Sequence, residues 1–330
     1  MPKELELTFS VADYHRTRPL LDGDVRADGI SLIPNATPRG DACMLPVYEA
    51  FDVAEMSMSL YVMARARGEP VYALPIFPQR LFIQPYVFVA PGAGIRTPAD
   101  LKGKRVGAPL YRLTVALWAR GILQEHYGIA PSDVAWVTQE GEGTEYQVPD
   151  GVRLAQGETD VEELLLRGEI DALITPNVPP SFRAGDPRIA RLFPNCRAAI
   201  MDYFQKTAIF PITHAVVVRE EWLEKEPWIV GKLIAAFEEA NRLSWQLYEY
   251  PKRLSFPTSV LMLEEEEAAF GKDPWRHGLG PNAEALEKFM EYAAAQGYTP
   301  RPLSLAESFW TEDGLGRSGG GELSRIAGGA

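Results

Sequence analysis

Three side chains near the ends of short apolar runs could move protons: His15, Glu55 and His214. Two arginines, Arg16 and Arg80, could fork paired N–H groups onto a carboxylate. A histidine near neutral pH, a carboxyl group and fixed cations together suit proton transfer on an anionic substrate. Glu55 closes Phe51-Asp52-Val53-Ala54-Glu55-Met56-Ser57, and among those apolar neighbours desolvation would raise its pKa toward use as an acid. The competing expectation is a carboxylate bonded to backbone amides, which would lower it.

Around this set stand candidate substrate contacts. Ser57 follows Glu55, and Tyr111, Arg112 and Thr114 open an amphipathic run whose free N–H groups could dock a carboxylate. Thr175 and Asn177 follow the phrase Glu169-Ile170-Asp171-Ala172-Leu173-Ile174, which echoes the Glu55 phrase. Each has a plainer reading. His15-Arg16 could be a solvated loop, Ser57, Tyr111, Arg112 and Thr114 mere caps, and Arg80 an edge-strand arginine. Thr175 and Asn177 could belong to a proline-rich turn, and His214 could be a satisfied core histidine. His126 and His277 read as peripheral. The four histidines have no HxxxH or HxH spacing, so no metal motif stands out.

The elements that must position these residues follow from periodicity. Leu5 to Val11 alternates as a half-buried strand does, and Val25 to Ile33 holds a second. The two echoing phrases read as buried parallel strands, whose carboxyl ends are where open α/β sheets bind ligands. Strands are expected at Val71 to Ile76, Arg80 to Val89, Val134 to Thr138, Ala198 to Tyr203 and Ile212 to Val218. Helices are expected at Asp41 to Ala50, Ser57 to Arg67, Tyr111 to Tyr127, Val161 to Arg167, Glu220 to Leu247 and Asn282 to Gln296. Glu140 to Asp150 reads as a loop, Glu264 to Glu267 as a solvated helix face, and Gly314 to Ala330 as disordered. A crossing between lobes is placed at Pro91-Gly92-Ala93-Gly94. This gives one discontinuous lobe from 1–92 and 214–330, and a second from 93–213.

The bulk numbers bound the partners. With 330 residues the chain is long enough for two lobes, each with its own core. A net charge of −12 gives no electrostatic reason to bind nucleic acid or an anionic membrane. Cys43 and Cys196 lie far apart and read as free thiols. The N-terminus shows no signal-peptide pattern, so a cytoplasmic location is expected. A homo-oligomer is compatible with the sequence.

The run Thr97-Pro98-Ala99-Asp100-Leu101-Lys102-Gly103-Lys104-Arg105-Val106-Gly107 resembles the start of the second lobe in the type II periplasmic-binding-protein fold. A closer likeness lies in Asp13-Tyr14-His15-Arg16-Thr17-Arg18, Phe51 to Ser57, Leu74-Pro75-Ile76-Phe77-Pro78, Trp118 to Leu123, Gly185-Asp186-Pro187-Arg188 and Phe210-Pro211-Ile212-Thr213-His214. This set is similar to the 4,5-dihydroxyphthalate decarboxylase family. The resemblance implies an α/β, two-lobed fold with a cleft between the lobes. It also implies non-oxidative loss of one carboxylate from a hydroxylated aromatic dicarboxylate, giving protocatechuate. Such a substrate supplies its own electron push, so no cofactor is expected, with a divalent metal chelated by the catechol oxygens as the open alternative. Two alternatives stand beside this. One is a binding protein of a transporter or sensor that holds a small organic anion without chemistry, and the other is a related enzyme of aromatic or quinone-precursor metabolism.

Overall fold

The computed structural model describes residues 4–34, 47–142, 146–157 and 159–315. Two mixed sheets form its frame. The first is built from β1 (Leu5–Ser10), β2 (Ile30–Pro34), β3 (Val53–Ser57), β4 (Val71–Ala73) and β5 (Gln79–Arg80). The second contains β6 (Val87–Val89), β7 (Arg105–Ala108), β8 (Ala135–Thr138), β9 (Arg153–Gln156), β10 (Ala172–Ile174) and β11 (Ala190–Arg191). The long β12 (Ile212–Arg219) returns to the first sheet, giving the order β2-β1-β3-β12-β4 with β5 also on β12. The second sheet runs β11-β6-β10-β7-β8-β9. A small hairpin, β13 (Trp310–Thr311) with β14 (Gly314–Leu315), stands apart.

The helices are α1 (Arg18–Leu21), α2 (Met58–Ala66), α3 (Thr114–Tyr127), α4 (Val161–Leu166), α5 (Pro180–Arg183), α6 (Cys196–Thr207), α7 (Glu220–Lys225), α8 (Ile229–Trp245), α9 (Ser259–Phe270), α10 (Ala283–Ala295) and α11 (Leu305–Ser308). In α3 the periodic apolar positions bury almost the whole helix, and Gly128 ends it in the left-handed conformation. Parallel pairing of β1 with β2 and β3, and of β7 with β10 and β8, buries both sheet faces under these helices.

The acidic residues that open the two echoing phrases are structural. Asp52 accepts from the Thr8 amide at 2.8 Å, the Thr8 hydroxyl at 2.6 Å and Trp222 Nε1 at 2.8 Å, and pairs with Arg219 at 3.0 Å. Asp171 takes both the amide and the guanidinium of Arg105, at 2.9 Å each.

Several expectations change. Ala198 to Tyr203 lies in α6, not in a strand, because Asn195 accepts from the Ala198 amide at 3.0 Å and caps a helix across that short apolar stretch. The chain enters the second sheet between Arg80 and Val87, since β6 already pairs with β10 and β11. Pro91 to Gly94 therefore follows the first strand of the second sheet instead of preceding it. The expected helix at 41–50 falls largely on residues 41–46, outside the described residues, and its described end is a 3₁₀ turn, Val47–Glu49. Residues 143–145 of the 140–150 loop, Cys43, and the tail from 316 also lie outside them.

Nor does each lobe keep a wholly separate core. One apolar cluster runs from Ala54 and Met56 of the first sheet through α2 and α3 to Val106 and Trp136 of the second. Helix α10 seals it, packing the Tyr292 ring against α3 at Gly121, where an added Cβ would meet ring carbon at 2.2 Å. Trp118 Nε1 donates to the Ile212 carbonyl at 2.8 Å, tying α3 to the start of β12.

Candidate active site

The site begins with strand register. Antiparallel pairing sets Ser57 opposite His214 and Glu55 opposite Val216. With a side-chain period of two, Glu55 and His214 then share one face as diagonal neighbours. Their side chains meet: His214 Nδ1 lies 2.5 Å from Glu55 Oε1. The same oxygen accepts from the Tyr14 hydroxyl at 2.8 Å, and Oε2 accepts from the Ala12 amide at 2.9 Å. The loop after β1 thus closes over the end of β3.

Glu55 is only 2% exposed. Burial pushes its carboxyl up, but the His214 hydrogen bond and charge, with Ala12 and Tyr14, outweigh that and hold it below its ordinary value. Of the two expectations for Glu55 the lowered one holds: it is a carboxylate that accepts hydrogen bonds from three donors. Removing one partner of such a buried pair costs roughly 3–5 kcal/mol, because the other charge is left uncompensated.

A chain of polar side chains continues outward. β12 bulges against β5 between Ile212 and His214. Thr213 there donates to Gln79 Oε1 at 2.7 Å, and Gln79 Nε2 donates to the Tyr14 hydroxyl at 2.9 Å. Bulges beside functional sites re-aim single side chains in this way. Tyr14, Gln79 and Thr213 escaped the sequence reading. Tyr14 sits in the polar cluster already singled out, but nothing in that cluster distinguishes it from Asp13 or Thr17.

Two guanidinium groups lie near this pair. The Arg16 guanidinium carbon sits 3.7 Å from the Trp275 ring centroid and 4.3 Å from that of Tyr14, and its Nε donates to the Pro78 carbonyl. Arg80 is 6% exposed and donates through Nη2 to the Arg276 carbonyl and to Asn282 Oδ1, both at 2.7 Å. Its Nε is buried without a hydrogen-bond partner. No carboxylate among the described residues forms an ion pair with either arginine. Burial lowers Arg16 to about 10, with Glu55 and nearby tyrosines acting the other way. Burial lowers Arg80 to about 9, with the charge of Asp273 acting the other way and those of Arg16 and Arg276 adding to the fall.

Asn282 precedes α10 as expected, but its side chain makes no cap. Instead it holds Arg80 and donates to the Arg276 and Gly278 carbonyls at 2.9 and 2.8 Å. His277 is not peripheral. Its Nδ1 accepts from the Phe77 amide at 3.2 Å, and burial with the charges of Arg80 and Arg16 lowers it to about 3.

The remaining candidates part company. His15 is exposed, and its ring meets Tyr248 edge-on at 5.4 Å, apart from the Glu55–His214 pair. Ser57 and Thr114 join the two sheets' helices, with their hydroxyls 2.7 Å apart, and Thr114 Oγ1 also accepts from the Ser59 amide at 2.9 Å. Ser57 stands at the N-cap of α2 but makes no cap hydrogen bond. The Tyr111 ring is buried against Trp136, Tyr146 and Arg120.

The amides of Tyr111 and Arg112, expected to dock a ligand carboxylate, receive Glu142 at 2.5 and 2.9 Å. Arg112 Nε lies 3.8 Å from that carboxylate. Burial raises Glu142, and the two amides, Arg112 and Arg120 offset this only in part. Thr175 is buried and accepts from the Asn177 amide at 3.4 Å, while Asn177 is exposed. No described hydrogen bond links these two to Glu55 or His214.

Among the described residues no group of three or more His, Cys, Asp or Glu is arranged to hold a metal ion. No described helix is long and apolar enough to cross a membrane.

Known proteins share this fold and sequence. A family model described as NMT1/THI5 like matches residues 29–245. A 4,5-dihydroxyphthalate decarboxylase of Comamonas testosteroni is 34% identical over 319 residues, which cover 93% of this chain and 96% of the relative. Among solved structures, the periplasmic aliphatic sulphonate binding protein SsuA from Escherichia coli matches with a TM-score of 0.55 at 15% identity, over 100% of this chain and 98% of its own. The desulfurization enzyme DSZB matches with a TM-score of 0.54 at 16% identity, over 94% of this chain and 97% of its own. At those identities the two structures share the fold alone, which is that of periplasmic binding proteins. The chain belongs to the NMT1/THI5-like family and to the family of 4,5-dihydroxyphthalate decarboxylases.

Proposed function

We propose that this protein removes one carboxylate from 4,5-dihydroxyphthalate as carbon dioxide and leaves protocatechuate. The observation that carries the reading is the buried Glu55–His214 pair beside the partly buried Arg16 and the buried Arg80, neither of which forms an ion pair among the described residues. The likeness to the Comamonas testosteroni decarboxylase over nearly the whole chain supports the same substrate class.

The substrate is a dianion at neutral pH, and Arg16 and Arg80 supply the matching charge. Arg16 is braced on two aromatic faces and Arg80 by Asn282 and a backbone carbonyl. Both are thus pre-set before the substrate arrives, which limits the entropy lost on binding.

Decarboxylation is then aromatic substitution by a proton. The hydroxyl para to the departing carboxylate feeds electron density to the ring carbon that bears it. His214, with Nδ1 committed to Glu55, gives the Nε2 proton to that carbon. The bond to the carboxylate breaks, its electron pair restores the aromatic ring, and carbon dioxide leaves. Glu55 stays ionised and stabilises the imidazolium, a task for which its lowered pKa suits it. Tyr14, Gln79 and Thr213 fix the carboxylate that orients His214. The step needs no cofactor, because the electron push comes from the substrate. A cytoplasmic location goes with this reading and is checked by cell fractionation.

The test is an ultraviolet assay of the purified protein on a panel of hydroxylated benzoates and phthalates, with the product identified. Protocatechuate and carbon dioxide in equal amounts are expected from 4,5-dihydroxyphthalate, with and without a chelator. Tight binding across the panel with no turnover would leave a binding protein in place of the enzyme.

A further inference from the structure

Helix α9 is nearly bare. Its polar and apolar residues are segregated along its axis instead of around it. Val260, Leu261 and Met262 form an apolar first turn and are 49%, 59% and 47% exposed. Phe256, just before the helix, is 61% exposed. The next turn, Glu264 to Glu267, is wholly acidic and exposed. A helix turn that is apolar toward solvent on several sides calls for burial by something else.

The charges around this patch say what covers it. The 3₁₀ turn Pro251–Arg253 packs at the amino end of α9, where Ser259 Oγ donates to the Pro251 carbonyl at 2.9 Å. It brings the exposed cations Lys252 and Arg253 to the amino end of α9, ahead of the apolar turn, and the acidic turn follows. Basic, apolar and acidic groups thus follow in order along the helix axis. In a two-fold pairing each residue i that meets j is matched by j meeting i. Antiparallel packing of two α9 helices would set apolar turn on apolar turn, with each basic end against the partner's acidic end. Glu265 and Glu266 already lie 2.8 and 4.0 Å from Arg197 of their own chain. Glu264 and Glu267 fall at i+4 and i+7 from Val260, on the same outward stripe, so they are the pair left to meet the cations.

We propose that α9 is a homodimer interface, on which a second copy of this chain packs its own α9 antiparallel. A lipid surface fits less well, because an anionic membrane would be repelled by the acidic turn and by a net charge of −12. The interface also touches the site. Phe270 at the end of α9 packs on Phe82 and Phe204, and the segment that follows carries Trp275 and Arg276 to Arg16 and Arg80. Dimerisation would brace that segment, a consequence that rests on the proposed function.

Sedimentation velocity on the full chain at about 10 μM tests the interface without reference to activity. The expected species is a dimer. Leu261→Glu shifts it to monomer with an unchanged circular dichroism spectrum. Lys252→Glu with Arg253→Glu dissociates it, as does Glu264→Lys with Glu267→Lys. Combining all four reversals in one chain restores the dimer, because the pairing is then inverted but intact. A monomeric wild type, a dimer indifferent to Leu261→Glu, no rescue by the fourfold variant, or flotation of the protein with neutral lipid vesicles would each overturn the interface. In the monomeric Leu261→Glu variant, a severalfold rise in KM with kcat retained is expected from loss of bracing, and an unchanged KM would overturn the bracing alone.

Discussion

Two regions were equally good candidates for holding a carboxylate, and they differ in how their charges are met. At the amino end of α3, two amides and Arg112 already have a carboxylate, Glu142 from the same chain. Near β3 and β12, Arg16 and Arg80 are as deeply placed but have no such partner among the described residues, and both are shifted downward by burial. Taking a cation out of water without a direct ion pair is costly, and a substrate anion relieves that cost. The difference teaches that a site is marked less by having cations than by leaving them unpaired.

The sharpest way to break this comparison is to remove charge on the β3 side. Glu55→Gln should lower kcat by about 10²–10⁴ with little change in KM, as loss of a group that supports proton transfer does. Steady-state kinetics on 4,5-dihydroxyphthalate check it.

Next come the cations. Arg16→Gln and Arg80→Gln should each raise KM about 10–100-fold, the scale of a lost charged hydrogen bond. Substrate titrations with thermal-shift controls would separate weaker binding from unfolding. If Arg112→Gln raises KM more than either, the two regions have been assigned the wrong way round.

A smaller effect concerns stability. His277 is held at about 3, against 6.5 ordinarily. Between those values the unfolded chain binds a proton that the folded chain does not, so stability rises with pH through this window and falls as pH drops below about 6.5. This histidine should contribute a slope of about 1 kcal/mol per pH unit there, seen in urea unfolding and absent in His277→Asn.

Smallest of all, Glu142→Gln should cost about 1 kcal/mol of stability, typical of a lost helix cap, and leave KM nearly unchanged. A large rise in KM would show that Glu142 and its amides belong to the substrate site.

Much of this was legible in the residues. Glu55 and His214 announced themselves as a carboxyl group and an imidazole in otherwise apolar strands, and strand ends are where α/β sheets bind. Their partnership was not, because it depends on the register of β12 against β3, which no local pattern encodes. Register likewise hid Gln79 and Thr213, whose contact needs the bulge at the start of β12. His15 looked equal to His214 in type and setting. A one-residue difference from Arg16 in a loop sends the two side chains to different neighbours, Tyr248 and Trp275. The direction of the Glu55 shift stayed open in the sequence for a physical reason. Apolar neighbours in sequence signalled desolvation, whereas three donors brought in by the fold outweigh it.

The central claim is that His214, oriented by Glu55, delivers the proton to the ring carbon. The most direct measurement is the single-turnover rate of His214→Gln on 4,5-dihydroxyphthalate, with substrate affinity measured in the same variant. The account predicts near-normal affinity and a rate at least about 100-fold below wild type. A variant that decarboxylates at the wild-type rate would contradict it.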